Sequence, residues 1–579
     1  MDLIETPRSA FVVARRFRVP VAVFIFLLSS VMTLNSASAD DFNVRAYGAV
    51  GDGRADDGPA IQRAIDAAIH TGRPSTVIVP AGHYLLSRLV MAGAHDISLV
   101  GTSGTVLIGT MPRLTILTIV GSSDVRVAGF TLDRAPELFA QGVVKQVDVA
   151  RKAVTLNLDP QAGALDGPLL VQEKLLLVFN DPASGSWGDH SAACAFYKPS
   201  DPSVCWPPTI VARRRIDAFR WELMLNTPPE PGDLGKQAVV WSGVYKGRAF
   251  LILRSHDVTI ADVTYFAEGD EGGFIVGHDS GTVEFDHFTM KVPPGSGDLV
   301  ASVGGAMVFN NHVHLILDHV DISGSWDDCL NMGANFARIY AQLSPKVLQV
   351  DGSRADFAVG DHLSVWDWRL KAIIAHVAIT QMTCEKKPLI TCQLTLDQSV
   401  KIAHPGYAPV RSEGNDTDGI DRVIDVDGVG TLTVTNSSFQ SLHARCLLIK
   451  ASHALVENSL CHDTVMAGIV IGPSFFWDEG PETEGVTIRN TVFRNVSGPN
   501  VLVTNGGSSN APAVTGIAIK DDQFIGYGRF RHGVEVGSGV PIILQKTANP
   551  DLAGNRTSSR FALPGSPPAG SVDDALQIK

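Results

Sequence analysis

The chain has 579 residues, 45% of them hydrophobic and only 18% charged. That balance excludes a disordered protein, and the length exceeds one simple core unless the fold grows by stacking repeats. The 47 Lys and Arg against 60 Asp and Glu give a net charge of −13, which argues against nucleic acid or a strongly anionic polymer as partner and fits a neutral glycan better.

Residues 1–39 read as a signal peptide. Arg15, Arg16 and Arg18 precede the apolar run 19–34, which is short for a membrane span, and Ala37-Ser38-Ala39 before Asp40 has the form of a cleavage site. The expected mature protein is secreted or periplasmic and holds no membrane span. Residues 40–140 follow as an N-terminal cap and first coils. Asp56, Asp57 and Pro59 start a helix whose Ile61, Ile65 and Ala68 share one face, and the strand-like TVIVP follows at 76–80. Such a cap covers the first layer of a repeat array and blocks its edges.

Short β-branched strands then recur at 96–100, 125–131, 258–264, 283–289, 314–322, 431–439, 454–460, 486–493 and 517–524. Asn436, Asn458, Asn490 and Asp521 stand at the bends, where such side chains tolerate a left-handed backbone. Few hairpin dipeptides separate these strands, which argues against a propeller or a sandwich. The expected fold is an all-β right-handed parallel β-helix. Two stretches, 141–240 and 337–402, break the period with β patterns of their own and read as inserted small β-barrel-like modules. Coils fill 241–336 and 403–547. The Pro-, Gly-, Ser- and Ala-rich end, 548–579, reads as a loosely ordered tail. Export permits disulfides; the spacing suggests Cys194/Cys205, Cys384/Cys392 and Cys446/Cys461, with Cys329 left over and buried.

The chemistry points to Asp327 and Asp328 in Trp326-Asp-Asp-Cys-Leu-Asn-Met-Gly333. Strand alternation sends Leu330 and Met332 inward and Asp327 outward, and a bend at the strand's start turns Asp328 outward as well. Two close carboxylates cannot both ionise freely, so one is suited to act as a general acid. Trp326 beside them reads as a sugar platform, and Trp366, Trp368, Phe475, Phe476 and Trp477 offer further apolar faces. Structural turn acids and core packing are the alternative readings of these residues. Thr417-Asp-Gly-Ile-Asp421 imitates a polygalacturonase phrase but follows the acid pair instead of preceding it; its acids, with Asp416, do not form an EF-hand loop. No spacing reads as a zinc site, and no metal or cofactor is expected.

Several of these stretches resemble glycoside hydrolase family 110, whose members are exo-acting α-galactosidases on a parallel β-helix with inserted barrels. Asp327, Asp328, Asn331 and Gly333 match its D-D-x-x-N-x-H-G motif. Trp477, Glu479, Gly480 and Pro481 match its Trp-x-Glu-Ser-Gly-Pro region, Pro294-Gly-Ser-Gly297 the stretch leading to the acids, and Arg445 an Arg-Gly-Val-Leu-Ile-like strand. The resemblance implies a two-carboxylate, inverting glycosidase with Asp327 and Asp328 catalytic. His278, with Trp326, Asn331, Arg445, Trp477 and Glu479, would bind the oligo- or polysaccharide. The departures are Gly305 where the family has a further Asp, Val308 and Met332 where it has His, and Asp298 where a basic residue is expected. A second acid would then come from Glu268, Asp270, Glu271, Asp279 or Glu479. The alternatives are a catalytically silent carbohydrate-binding β-helix and a polysaccharide lyase.

Overall fold

In the computed structural model, the described residues are 40–111, 114–160, 165, 175–181, 186–187, 208–242, 247–267, 269, 271–277, 280–309, 312–353, 357–385, 390–407, 418–480, 483–496, 498–506, 508, 510–527, 540–560 and 576–578. The signal-like stretch 1–39 and Cys194/Cys205 lie outside them. No described helix is long and apolar enough to cross a membrane.

The fold is a parallel β-helix. One column of strands runs Leu89–Ala92, Leu117–Val120, Arg248–Leu253, Gly272–Gly277, Ala306–Phe309, Leu330–Asn335, Leu447–Ile449, Ile469–Ile471, Val501–Val503, Ile542–Leu544 and Leu576–Ile578. Every step in it is parallel. Its register stacks apolar side chains in line, Phe250 on Phe274, Ala306, Leu330, Leu447, Ile469 and Val501, and these positions form one continuous core. A second parallel stack closes the coils on the other faces. Its one-residue corners have left-handed backbone at Asp262, His287, His319, Asn436, Asn458, Asn490 and Asp521, so the residues read as bend formers occupy those bends.

The helix Gly58–His70 carries Pro59 in its first turn and buries Ile61, Ile65 and Ala68 against the first coil. Asp57 is buried where the helix starts, and its carboxylate accepts the N–H groups of Val50 and Gly51 at 2.6 and 3.0 Å.

The first insertion is a six-strand ring closed by antiparallel pairings, from Phe139–Asp148 through Gln237–Ser242, with its own core. The second is a closed barrel in which Ala337–Ser344 pairs with Arg422–Asp425. The boundary expected at residue 402 therefore falls short: the strand that closes the barrel comes after it, because Ala337–Ser344 needs a partner on its free edge. The tail also differs from expectation. Arg556–Arg560 and Leu576–Ile578 pair in parallel onto the preceding coils, so backbone pairing continues the stack despite the Pro- and Gly-rich composition around them. Disulfides join Cys384 to Cys392 and Cys446 to Cys461, and Cys329 is free and buried.

A polar column lines one inner corner of the C-terminal coils. Ser437 N–H donates to Ser459 Oγ at 3.2 Å, Thr491 N–H to Asp522 Oδ1 at 2.7 Å, and Asp522 N–H to Asn555 Oδ1 at 3.0 Å. Asp522 is fully buried with Oδ2 lacking a hydrogen bond, and burial pushes its carboxyl up to about 7. At Asp522 the folded chain therefore keeps a proton that the unfolded chain has released, so this group's contribution to stability falls as pH rises from about 4 to about 7 and levels off above. Asp522→Asn is expected to flatten the fall in stability between pH 4 and 7 relative to the wild-type chain and to raise the melting temperature at pH 8, measured by calorimetry across pH 4–8.

Candidate functional site

Asp327 and Asp328 sit on a bend immediately before the strand Leu330–Asn335. Two serines fix the bend: Ser325 Oγ donates to Asp327 O at 2.9 Å and Ser441 Oγ to the same oxygen at 3.0 Å. Across it the backbone changes neighbours. Asp327 N–H donates to Val303 O in the preceding coil at 2.9 Å, whereas Cys329 N–H donates to Arg445 O in the following coil at 3.0 Å. Strict alternation is thereby broken. Cys329 turns fully inward, and Asp327 and Asp328 line one cleft with Arg248, Glu271, Gly304, Gly305 and Asn331.

Two acids in this cleft, Asp328 and Glu271, are held by arginines. Asp328 Oδ1 accepts the backbone N–H of Arg445 at 3.0 Å and its guanidinium at 3.2 Å, with Oδ2 at 3.4 Å from the same nitrogen. Asp327 Oδ1 accepts Asp328 N–H at 2.8 Å. Glu271 pairs with Arg248 across the floor. Toward the second barrel, Lys450 Nζ donates to Glu479 Oε2 at 2.5 Å and to Asn331 Oδ1 at 2.6 Å, and Asn331 Nδ2 donates to the same Glu479 oxygen at 3.4 Å. Lys450 has no exposed side-chain surface, and a buried ammonium is tolerated only with such partners. Its stem lies over Gly333, where a Cβ would come within 2.9 Å of it.

The turn carrying Glu479 is anchored by charge and by rings. Asp478, fully buried, pairs with Arg422 at 3.3 Å and Arg338 at 3.3 Å, and Asp418 pairs with the same two arginines at 2.7 and 2.9 Å. Burial pushes Asp478 above the usual carboxylate range despite both arginines. At Asp418 burial acts in the same direction, but Arg422 and the hydrogen bonds win and hold it below that range. Beside this network Phe336, Trp366, Trp368 and Phe475 pack with ring centroids 5.0–6.1 Å apart.

Asp327, Asp328, Asn331, Arg445, Glu479 and, of the alternative acids, Glu271 thus belong to one region of the surface. Trp477 is half-buried and set edge-on to Phe476. Trp326 is corrected: it is 5% exposed, stacked on His443 at 4.3 Å and edge-on to Trp241 of the first module, so it seals a seam instead of presenting a platform. Trp366 and Trp368 are likewise fully buried. His278, Glu268, Asp270, Asp279 and Pro481 lie outside the described residues. Burial, with the charge of Arg445 second, pushes His443 down to about 3, so it is a neutral stacking ring. Arg248 and Lys450 were not singled out from the sequence. The signal for Lys450 was a lone cation closing the apolar run Leu447-Leu448-Ile449.

The three positions that depart from the resemblance, Gly305, Val308 and Met332, are set by packing. A Cβ at Gly305 would stand 2.2 Å from Cys329 O, because the coils approach so closely there that Ala306 N–H donates to that carbonyl at 2.8 Å. No aspartate fits. Val308 and Met332, where the resemblance predicts histidines, are register partners, both buried in the core.

Residues 42–166 match the profile of the family described as rhamnogalacturonase A/epimerase, pectate lyase-like. Among curated proteins, the chain is similar to mannuronan C5-epimerase AlgE3 of Azotobacter vinelandii, 41% identical over 88 residues, 15% of this chain and 5% of the relative. It is also similar to alginate lyase 7 of the same organism, 37% identical over 89 residues, 15% of this chain and 10% of the relative. The matched stretches thus span a small part of each relative's length. The solved A-module of mannuronan C-5 epimerase AlgE4 from A. vinelandii aligns over 90% of this chain and 88% of its own, at 13% identity and a TM-score of 0.35. The named relatives are carbohydrate-active enzymes.

Lys450→Met is expected to leave Glu479 and Asn331 without their cation and to cost about 3–5 kcal/mol, the usual cost of breaking a buried ion pair, read as a lower urea midpoint. Gly305→Ala, forced against the Cys329 carbonyl, is expected to cost about 1–3 kcal/mol or more in the same assay.

Proposed function

We propose that the protein is an exported glycoside hydrolase that cleaves an oligo- or polysaccharide in the cleft at Asp327 and Asp328 by a two-carboxylate, inverting mechanism. The observation that carries this reading is the bend that turns both carboxylates into one cleft. Asp328, clamped by the backbone and guanidinium of Arg445, is a fixed oxygen suited to orient and deprotonate an attacking water. Asp327 then supplies the proton to the departing glycosidic oxygen. Glu271, beside Arg248, is the nearby acid available if the base comes from the adjacent coil. Asn331 and Glu479, held by Lys450, offer hydrogen bonds to sugar hydroxyls. An exo-acting, α-galactosidase-like specificity is supported by the phrases around Asn331, Arg445 and Trp477–Gly480. It carries less weight than the general reaction, because Gly305, Val308 and Met332 remove three polar groups expected with it.

A second reading, a polysaccharide lyase, is favoured by one specific observation. Arg248 lines the cleft, Arg445 pairs with Asp328 on its wall, and the curated relatives include an alginate lyase. There the cations would offset a uronate carboxylate while a base removes the adjacent proton.

Incubation with a panel of neutral and acidic glycans separates these readings. Hydrolysis releases saturated sugars with new reducing ends; elimination gives a product absorbing in the near ultraviolet; binding without turnover indicates a silent carbohydrate-binding protein. Asp327→Asn and Asp328→Asn are each expected to lower kcat about 10²–10⁴-fold with an unchanged circular dichroism spectrum. Wild-type turnover in both variants would sink the two-carboxylate mechanism.

A further inference from the structure

Away from the cleft, on the second barrel, three side chains from separate stretches converge. Asp367 ends the strand His362–Asp367, His404 lies in the segment after residue 402, and Asp421 precedes the strand Arg422–Asp425. One ligand atom from each lies within 4.8 Å of the other two. Asp421 is fully buried and Asp367 is 8% exposed.

His404 distinguishes this group from ordinary turn acids. Its Nδ1 is buried and makes no hydrogen bond to any described residue. Asp421 Oδ1 stands 3.5 Å away, without hydrogen-bond geometry. A tetrahedral zinc held at about 2.0–2.2 Å places its ligand atoms about 3.3–3.6 Å apart. The separation thus suits a shared ion better than a direct bond. The carboxylates keep capacity for an ion. Asp421 uses its oxygens on the N–H groups of Trp368 at 3.1 Å, Ala403 at 3.1 Å and His404 at 2.9 Å. Asp367 accepts with Oδ1 from Arg369 and Leu370, each at 3.0 Å. These bonds fix both carboxylates while leaving lone pairs, as supporting hydrogen bonds to metal ligands do.

Among the described residues, two other groups with ligand-like spacing differ. His95, Asp96 and Asp124 are exposed, as are His287 and His319 beside the half-buried Asp286. Their histidine nitrogens are engaged: His95 Nδ1 with Ser123 Oγ at 2.6 Å, and His287 Nδ1 with Asp286 Oδ1 at 2.6 Å.

We propose that Asp367, His404 and Asp421 bind one divalent first-row metal ion, zinc fitting the donor set best. One imidazole and two carboxylates supply three ligands and leave a fourth position for water. A hard ion such as calcium, which takes six to eight oxygens, is disfavoured by the imidazole. The ion braces the barrel. It ties the His404 segment to the strand that closes the ring and, through Asp421, to the Trp368 backbone inside the aromatic seam.

The test uses the untagged full chain, stripped with chelator and titrated separately with zinc and cobalt chloride. One zinc per chain, visible cobalt bands of low coordination number and a raised melting temperature are expected. His404→Asn, at a partly exposed ring that the fold can spare, is expected to lose all three, as is Asp367→Asn. His95→Asn and His287→Asn are expected to keep them. The proposal is overturned if the wild-type chain binds no stoichiometric zinc, if His404→Asn retains the cobalt spectrum, or if the control variants lose it. Glycan cleavage or its absence does not bear on this outcome.

Discussion

The structure depends on one constraint: after every excursion the backbone must return to the register that stacks Leu117, Phe250, Phe274, Ala306, Leu330, Leu447, Ile469 and Val501 in line. A parallel pair slipped by one residue would turn its apolar side chains outward and its polar ones into the core. Each insertion therefore has to close on itself before the coil resumes. The first module does so by pairing Phe139–Asp148 with Gln237–Ser242, the second by pairing Ala337–Ser344 with Arg422–Asp425. The second closure brings Arg338 and Arg422 side by side at the barrel's base, where they meet Asp418 and Asp478.

The cleft follows from the same constraint. Leu330 must face the core, yet the residues before it need not follow strand alternation, because they lie on a bend held by Ser325 and Ser441. Neighbouring coils supply the charges that orient these largely buried acids: Arg445 comes from the coil after the barrel, and Glu479 is reached by Lys450 from the same stack. The seam of Phe336, Trp366, Trp368 and Phe475 holds the Glu479 turn against the barrel, and burial of these large rings supplies much of the adhesion between the two bodies.

The coil repeat was legible because β-branched residues recur with Asn and Asp at the corners, and those corners are single residues with left-handed backbone. The cap helix was legible from Pro59 and the Ile61, Ile65, Ala68 face. The acid pair was legible as a unit, since Leu330 and Met332 beside it demand the core. What surrounds the pair was less so. Trp326 looks identical in sequence whether it faces sugar or a seam; only Trp241, brought in by the first module, decides. Lys450 carries no local mark beyond an odd cation after three aliphatic residues. The barrel's last strand escaped because its pairing partner is distant in sequence, and the tail's short strands were hidden by flanking Pro and Gly.

Gly305 has an evolutionary consequence. The carbonyl of Cys329 occupies the space into which any side chain at that position would grow. A single codon change to aspartate would therefore have to push apart a pair of coils that every later coil is stacked upon. An acid at 305 becomes reachable only after compensating changes in the spacing of the stack.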